Sequence, residues 1–281
     1  MARAAGRITE SAVRAISRGY DKAWEQFMAG RLQNKTALVT GATSNIGRAI
    51  AEAFPAEGAH VVISGRSAQR GAQVVEDIRA RGGRADFVIA ELDGSAEASR
   101  ALAEQATSVL GGRIDILVNN VGIYPSGSTA ATDEKTFDRV YAVNVKAPFF
   151  LTAAIAPAMA AAGGGAIINL GSWIARLGIP VSALYSSTKG ALETLTRAWA
   201  AEYGPHGVRV NAVSPGVVHT PVPGEVHPGE VMMKGTPAGR PGSPQAIAHA
   251  AVYLASDEAA FVHGSVLDVD GGRTTTAVIA G

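Results

Sequence analysis

From Lys35 onward the chain alternates short apolar runs with amphipathic stretches. Thr36 to Thr40 reads as a buried strand, followed by a Gly-containing turn and a helix from about Ile46 to Glu57. A second strand (Ala59 to Ser64), a helix (Ala68 to Arg81), a third strand (Ala85 to Ala90), a helix (Ala96 to Leu110) and a fourth strand (Ile114 to Asn119) extend the pattern. Beyond it come a long helix near Phe137 to Ala162, a strand Ala166 to Leu170, and a helix from after Ser182 to about Tyr203. A strand Val208 to Val213, a helix near Pro244 to Ala255 and a short strand Val266 to Val269 close the chain. Strands that are apolar on both faces need cover on both sides, and alternation with helices makes them parallel. Right-handed crossovers then give a doubly wound α/β sheet. Pro55, inside the first helix, should remove a hydrogen bond and kink it.

Two segments fall outside this rhythm. Ile8, Ala12, Ile16, Tyr20, Ala23, Trp24 and Phe27 recur at helical spacing with charges between them, which predicts an amphipathic helix ahead of the main domain. Residues 1–31 are therefore read as an N-terminal helical extension, and residues 32–281 as one Rossmann-type domain. A lone helix of this length is marginal in water, so its apolar stripe should dock on the body of the protein or on a neighbouring subunit. Acidic residues within it disfavour a membrane-surface anchor. The second exception, Pro215 to Pro241, is rich in proline and poor in periodic apolar residues. It follows a strand at the carboxyl edge of the sheet, where such folds bind ligands, and is read as a substrate lid over about 215–241.

Composition narrows the class. Hydrophobic residues make up 47% and charged residues 17%, as in a globular chain. The net charge is +1, and no dense Lys/Arg face interleaved with aromatics suggests a nucleic-acid partner. With no cysteine, disulfides and thiolate chemistry are excluded, and a cytoplasmic protein is expected. No uninterrupted apolar run reaches the roughly 18 residues of a membrane span. His219 and His227 lack metal-site spacing, so no metal is expected.

The candidate chemistry lies between Ser172 and Lys189. On a helix, Tyr185 and Lys189 stand one turn apart on one face, where the ammonium should favour the phenolate and bring the phenol towards the working pH. Ser172, just past a strand, offers a hydroxyl to hold a substrate oxygen. A Tyr and a Lys four apart also arise by chance, so the pair gains weight only from motifs elsewhere. Thr40-Gly41-Ala42-Thr43-Ser44-Asn45-Ile46-Gly47 joins the first strand to its helix; Gly41 permits the tight turn, Gly47 close packing, and the helix N-terminus offers N–H groups to a pyrophosphate. In Ser64-Gly65-Arg66-Ser67 no acid follows the second strand, and Arg66 can pair with a 2′-phosphate, so NADP(H) is preferred over NAD(H). Asp93, followed by Gly94, bonds an adenine amino group or caps the next helix. Asn119-Asn120-Val121-Gly122 closes the fourth strand, and Asn144 is an amide inside an apolar helix, costly unless its polar atoms are used.

Together these motifs resemble the classical short-chain dehydrogenase/reductase superfamily, over about Asn34 to Thr275 and in its order. The resemblance implies a tetrad of Asn144, Ser172, Tyr185 and Lys189, with Lys189 also on the nicotinamide ribose and Asn144 anchoring a water that reloads the proton. It implies cofactor contacts from Gly41, Thr43, Ser44, Asn45, Ile46, Gly47, Arg66, Ser67, Asp93, Gly94, Asn120 and Gly122. Pro215, Gly216, Val218 and Thr220 resemble the stretch on the nicotinamide amide, and Asp268 to Gly272 the ending found near subunit contacts in homotetramers. Asn45 replaces the usual middle glycine, so its backbone must either accept a positive φ, which Asn does better than most residues, or rearrange. The activity implied is reversible hydride transfer to a ketone or 3-oxoacyl group, with Tyr124, Trp173, Leu184, Met232 and Met233 as substrate-lining candidates; anchoring the lid is the competing role for the two methionines. A non-catalytic dinucleotide-binding or redox-sensing protein is the rival reading, but it would have lost a tetrad member, and none is missing.

Overall fold

The computed structural model describes residues 30–180, 182–219 and 229–277. The expected N-terminal helix, Thr220 and His227 lie outside them. The strands β1 (Thr36–Val39), β2 (His60–Gly65), β3 (Arg84–Ile89), β4 (Ile116–Asn119), β5 (Gly165–Leu170), β6 (Val208–Pro215) and β7 (Val266–Val269) form one seven-stranded sheet in the order β3-β2-β1-β4-β5-β6-β7. Every pairing is parallel. The helices are α1 (Asn45–Ala56), α2 (Ala68–Ala80), α3 (Ala96–Val109), α4 (Glu134–Tyr141), α5 (Ala147–Ala161), α6 (Ala183–Tyr203), the short α7 (Glu230–Met233) and α8 (Pro244–Ala255).

The period of two along each strand separates two cores. Ala37 and Val39 of β1, aligned with Val61 and Ile63 of β2, face one layer with Ile50 and Phe54 of α1 and Ile247 and Val252 of α8. Leu38 and Val62 point the other way, to Leu102 of α3, Leu151 and Ile155 of α5, and Trp199 of α6. Strand order reverses between β1 and β4, which opens a crevice beyond their carboxyl ends.

Three local expectations change. Pro55 stands in the last turn of α1, which ends one residue later at Ala56, so the hydrogen bond its missing N–H removes lies at the helix end. The long helix expected near Phe137 to Ala162 is interrupted by a π-helical turn, Ala142–Lys146, centred on Asn144, where Ala147 N–H bonds Ala142 O. Such turns keep the helix but widen it by one residue, and they cluster at functional sites. The whole stretch Glu134–Ala161 is long and apolar enough to cross a membrane, but here Leu151, Ile155, Ala156 and Met159 are buried in the core. In the predicted lid, β6 extends to Pro215, α7 is helical, and the flanks are tied together by Gly242 N–H to Val217 O at 2.9 Å and His219 N–H to Gly242 O at 3.2 Å.

Candidate active site

The crevice holds a cleft of about 710 Å³ that runs from Arg66 and Arg70, past the turn between β1 and α1, to Ser172, Tyr185 and Lys189. Its walls are built by strand ends. Asn45 adopts φ +46°, the positive value its place in the turn demanded. A methyl group on Gly47 would stand 2.4 Å from both Gly41 O and Asn120 Nδ2, so only glycine lets α1 start this close to β1. The Ser44 side chain caps nothing, which leaves the first-turn N–H groups of α1 to the cleft. Asn120 donates to Thr40 O at 2.8 Å and Gly41 O at 3.1 Å, and thereby holds the turn. This cradle offers backbone donors to a dinucleotide's pyrophosphate, and beyond it lie the guanidinium groups of Arg66 and Arg70 with Glu91 4.0 Å from Arg66.

At the other end, a buried amide network sets α6 against the sheet. Asn119 Nδ2 donates to Asn169 Oδ1 at 2.9 Å, and Asn169 Nδ2 donates to Thr196 Oγ1 at 2.9 Å. Full pairing of this kind fixes one arrangement of β4, β5 and α6. Tyr185 and Lys189 therefore reach the cleft from a rigid helix, beside Ser172 at the end of β5. The Ser172 side chain favours the ionised form of the Tyr185 phenol. The Lys189 Nζ donates to Leu170 O at 2.7 Å and lies 5.7 Å from the Tyr185 ring centroid.

This geometry corrects the expected tuning of the phenol. Burial pushes Tyr185 up to about 12, and the Ser172 side chain only partly opposes that. Burial likewise pushes Lys189 down to about 8, against the pull of Glu193. The ammonium sits by the ring and spends a proton on Leu170, so desolvation outweighs its charge. At neutral pH the phenol is protonated, as a proton donor must be.

Asn144 is fully buried and binds Ile123 in the manner of a strand: Oδ1 accepts from Ile123 N–H at 2.8 Å, and Nδ2 donates to Ile123 O at 2.8 Å. Its second N–H goes to Thr188 Oγ1 at 3.1 Å. Both side-chain donors are thus committed, and a water held here must use an oxygen.

Several sequence candidates sit elsewhere. Ser67 caps α2, accepting from Arg70 N–H at 3.3 Å. Gly94 stands against Ala142, where a methyl group would meet Ala142 O at 2.6 Å. Leu184, Met232 and Met233 do not line the cleft; Met233 is buried against Gly271, in the anchoring role. Asp93 lines the cleft, and its carboxylate accepts from Ser95 N–H at 2.8 Å, while Ser95 itself caps α3. Trp173 and Tyr124 line the cleft, with Tyr124 edge-on to Tyr185 at 6.0 Å. Sequence reasoning missed Arg70, Ile123, Arg139 and Val143. Arg70 was findable from its place in the first turn of α2, beside Arg66.

A family model described as Enoyl-(Acyl carrier protein) reductase matches residues 41–274. Cyclopentanol dehydrogenase of Comamonas sp. is 36% identical over 249 residues, covering 87% of this chain and 99% of that protein. A gluconate 5-dehydrogenase from Burkholderia cenocepacia, solved with NADP and tartrate, superposes with a TM-score of 0.82 at 32% identity, covering 91% of this chain and 100% of its own. A 7 alpha-hydroxysteroid dehydrogenase, solved with NADH and a 7-oxo bile acid, gives 0.81 at 36% identity, over 88% and 97%. The chain belongs to the short-chain dehydrogenase/reductase family, whose members are oxidoreductases acting on alcohols and ketones.

Proposed function

We propose that this protein interconverts a moderately hydrophobic carbonyl compound, a ketone or a 3-oxoacyl group, and its secondary alcohol, with NADP(H) preferred over NAD(H). The observation that carries the reading is that Tyr185, Ser172 and Lys189 open on the same cleft as the glycine turn and the Arg66–Arg70 pair, with Lys189 Nζ 5.7 Å from the Tyr185 ring centroid. The bound nicotinamide supplies or accepts the hydride. Ser172 and Tyr185 hold the carbonyl oxygen, and Tyr185 gives it a proton as the carbon is reduced. Lys189 holds the nicotinamide ribose and stabilises the phenolate left behind. Asn144 fixes the loop through Ile123 and anchors the water through which the proton is replaced. Tyr124 and Trp173 give the substrate end its apolar character. Oxidation of NADPH and NADH against ketones, diketones and 3-oxoacyl esters tests the reading; turnover of none of them overturns it.

Arg66 and Arg70 line the cleft beyond β2, and Gly65 packs closely on Thr43, where a methyl group would stand 2.7 Å from Thr43 Cγ2. Replacing both arginines by serine should raise the KM for NADPH by about 10- to 100-fold, at roughly 1.5–3 kcal/mol for a charged hydrogen bond, while leaving NADH kinetics unchanged. An unaltered ratio of the two kcat/KM values would remove the basis for the NADP(H) preference. We also propose a homotetramer with the N-terminal extension at a subunit contact. Light scattering on the full chain and on a chain lacking residues 1–29 should show a smaller assembly for the second with unchanged kinetics; equal masses would detach the extension from assembly.

A further inference from the structure

One charged group in the core has no task in this reaction scheme. Glu193 follows Lys189 by one turn of α6, and only 5% of it is exposed. Its Oε1 makes no hydrogen bond, and its Oε2 lies 3.8 Å from Arg176 Nε. A methyl group on Gly171 would stand 3.0 Å from Oε1, so the carboxylate lies directly under the Gly171–Ser172 turn. Arg176 is itself committed to Asp268 on β7 through Nη1 at 2.8 Å and to Ser214 through Nη2 at 3.0 Å. A buried carboxylate with an unpaired oxygen is costly unless a nearby charge compensates. Arg176 after the turn Trp173–Ala175, Asp268, and Arg197 on α6 act on the carboxylate, and the carboxylate in turn acts on Lys189, which stands one turn earlier on α6, is buried and forms no ion pair of its own among the described residues.

We propose that Glu193 is a positioning residue of this site: its carboxylate props the turn that carries Ser172 and is the counter-charge to the Lys189 ammonium. This rests on the catalytic reading above for its meaning, but its first test needs no turnover. The Lys189 Cε resonance, assigned by comparison with Lys189→Met, is titrated in cofactor-free full-length protein labelled with ¹³C-lysine. Glu193→Gln should move the Lys189 midpoint down by about half a pH unit or more, because removal of an anion disfavours the ammonium. Glu193→Asp should keep it near the wild-type value. In carbonyl reduction the alkaline limb of kcat/KM should shift the same way in Glu193→Gln, with kcat at neutral pH down about tenfold and cofactor KM unchanged. An identical Lys189 midpoint in wild type and folded Glu193→Gln overturns the proposal. If Glu193→Gln does not fold, Glu193→Met, with an apolar side chain of similar length, carries the same comparison. Should only carboxylate variants fold, Glu193 belongs to folding and the proposal is equally overturned. A wild-type protein that turns over no carbonyl would sink the catalytic reading and leave the titration result standing.

Discussion

Tyr185→Phe should lower kcat by about 10²- to 10⁴-fold, the range for loss of a general acid, and leave the affinity for NADPH unchanged. The ring that packs against Tyr124 and lies near Lys189 is retained, so the fold of α6 is not at stake. What disappears is the phenolic hydroxyl of the residue that shares the cleft with Ser172 and Lys189. The pH profile gives a second check. With the phenol at about 12 and Lys189 at about 8, the lysine loses its charge first as pH rises. Carbonyl reduction by the wild type should therefore fall through an alkaline limb near the lysine value, whereas alcohol oxidation, which needs the phenolate, should keep rising with pH towards the phenol's value of about 12. In Tyr185→Phe the residual rate should lack the rise in the oxidation direction. Wild-type kcat in this variant, measured with any carbonyl that the wild type reduces, would end the assignment of Tyr185 as proton donor.

The strands and helices were legible because periodicity is a local property. Each strand predicted from an apolar run was found within a residue or two of its place, and the two-sided burial of Ala37 to Val39 follows from an unbroken apolar run. The positive φ at Asn45 was legible for the same reason: the turn admits few residues, and asparagine is one of them. What escaped the sequence depended on three-dimensional surroundings. The π-helical turn at Ala142–Lys146 is invisible because one inserted residue scarcely disturbs an apolar pattern. Pro55 falls in the last turn because the helix stops at Ala56, a boundary that periodicity alone places one residue later. The acidity of Tyr185 was misjudged because a neighbour at four residues is written in the chain, while the packing that desolvates both side chains is not. For Met233 the sequence leaves substrate contact and lid anchor both open, since a methionine in a proline-rich segment suits either role, and the side chain is buried against Gly271.

Asn144→Ala should cost both stability and turnover. The amide makes the two strand-like bonds that hold Ile123, so truncation strips partners from an N–H and a carbonyl that are partly buried. At about 1–3 kcal/mol for each buried group left unpaired, and less here because Ile123 is partly exposed, the expected loss is roughly 2 kcal/mol. Turnover suffers by a separate path: Asn144 bonds Thr188, and the Thr188 hydroxyl donates to Tyr185 O at 2.7 Å, so the loop at Gly122–Ile123 and the helix bearing the phenol are joined through one side chain. Asn144→Asp should not rescue either property. A carboxylate can still accept from Ile123 N–H, but its second oxygen would face Ile123 O and the oxygen of Thr188, whose proton is already given to Tyr185. Thermal melts together with kcat on both variants decide the matter. A wild-type Tm with lost turnover would confine Asn144 to the proton path, and a lowered Tm with full turnover would confine it to the scaffold; the bonding pattern requires that both fall.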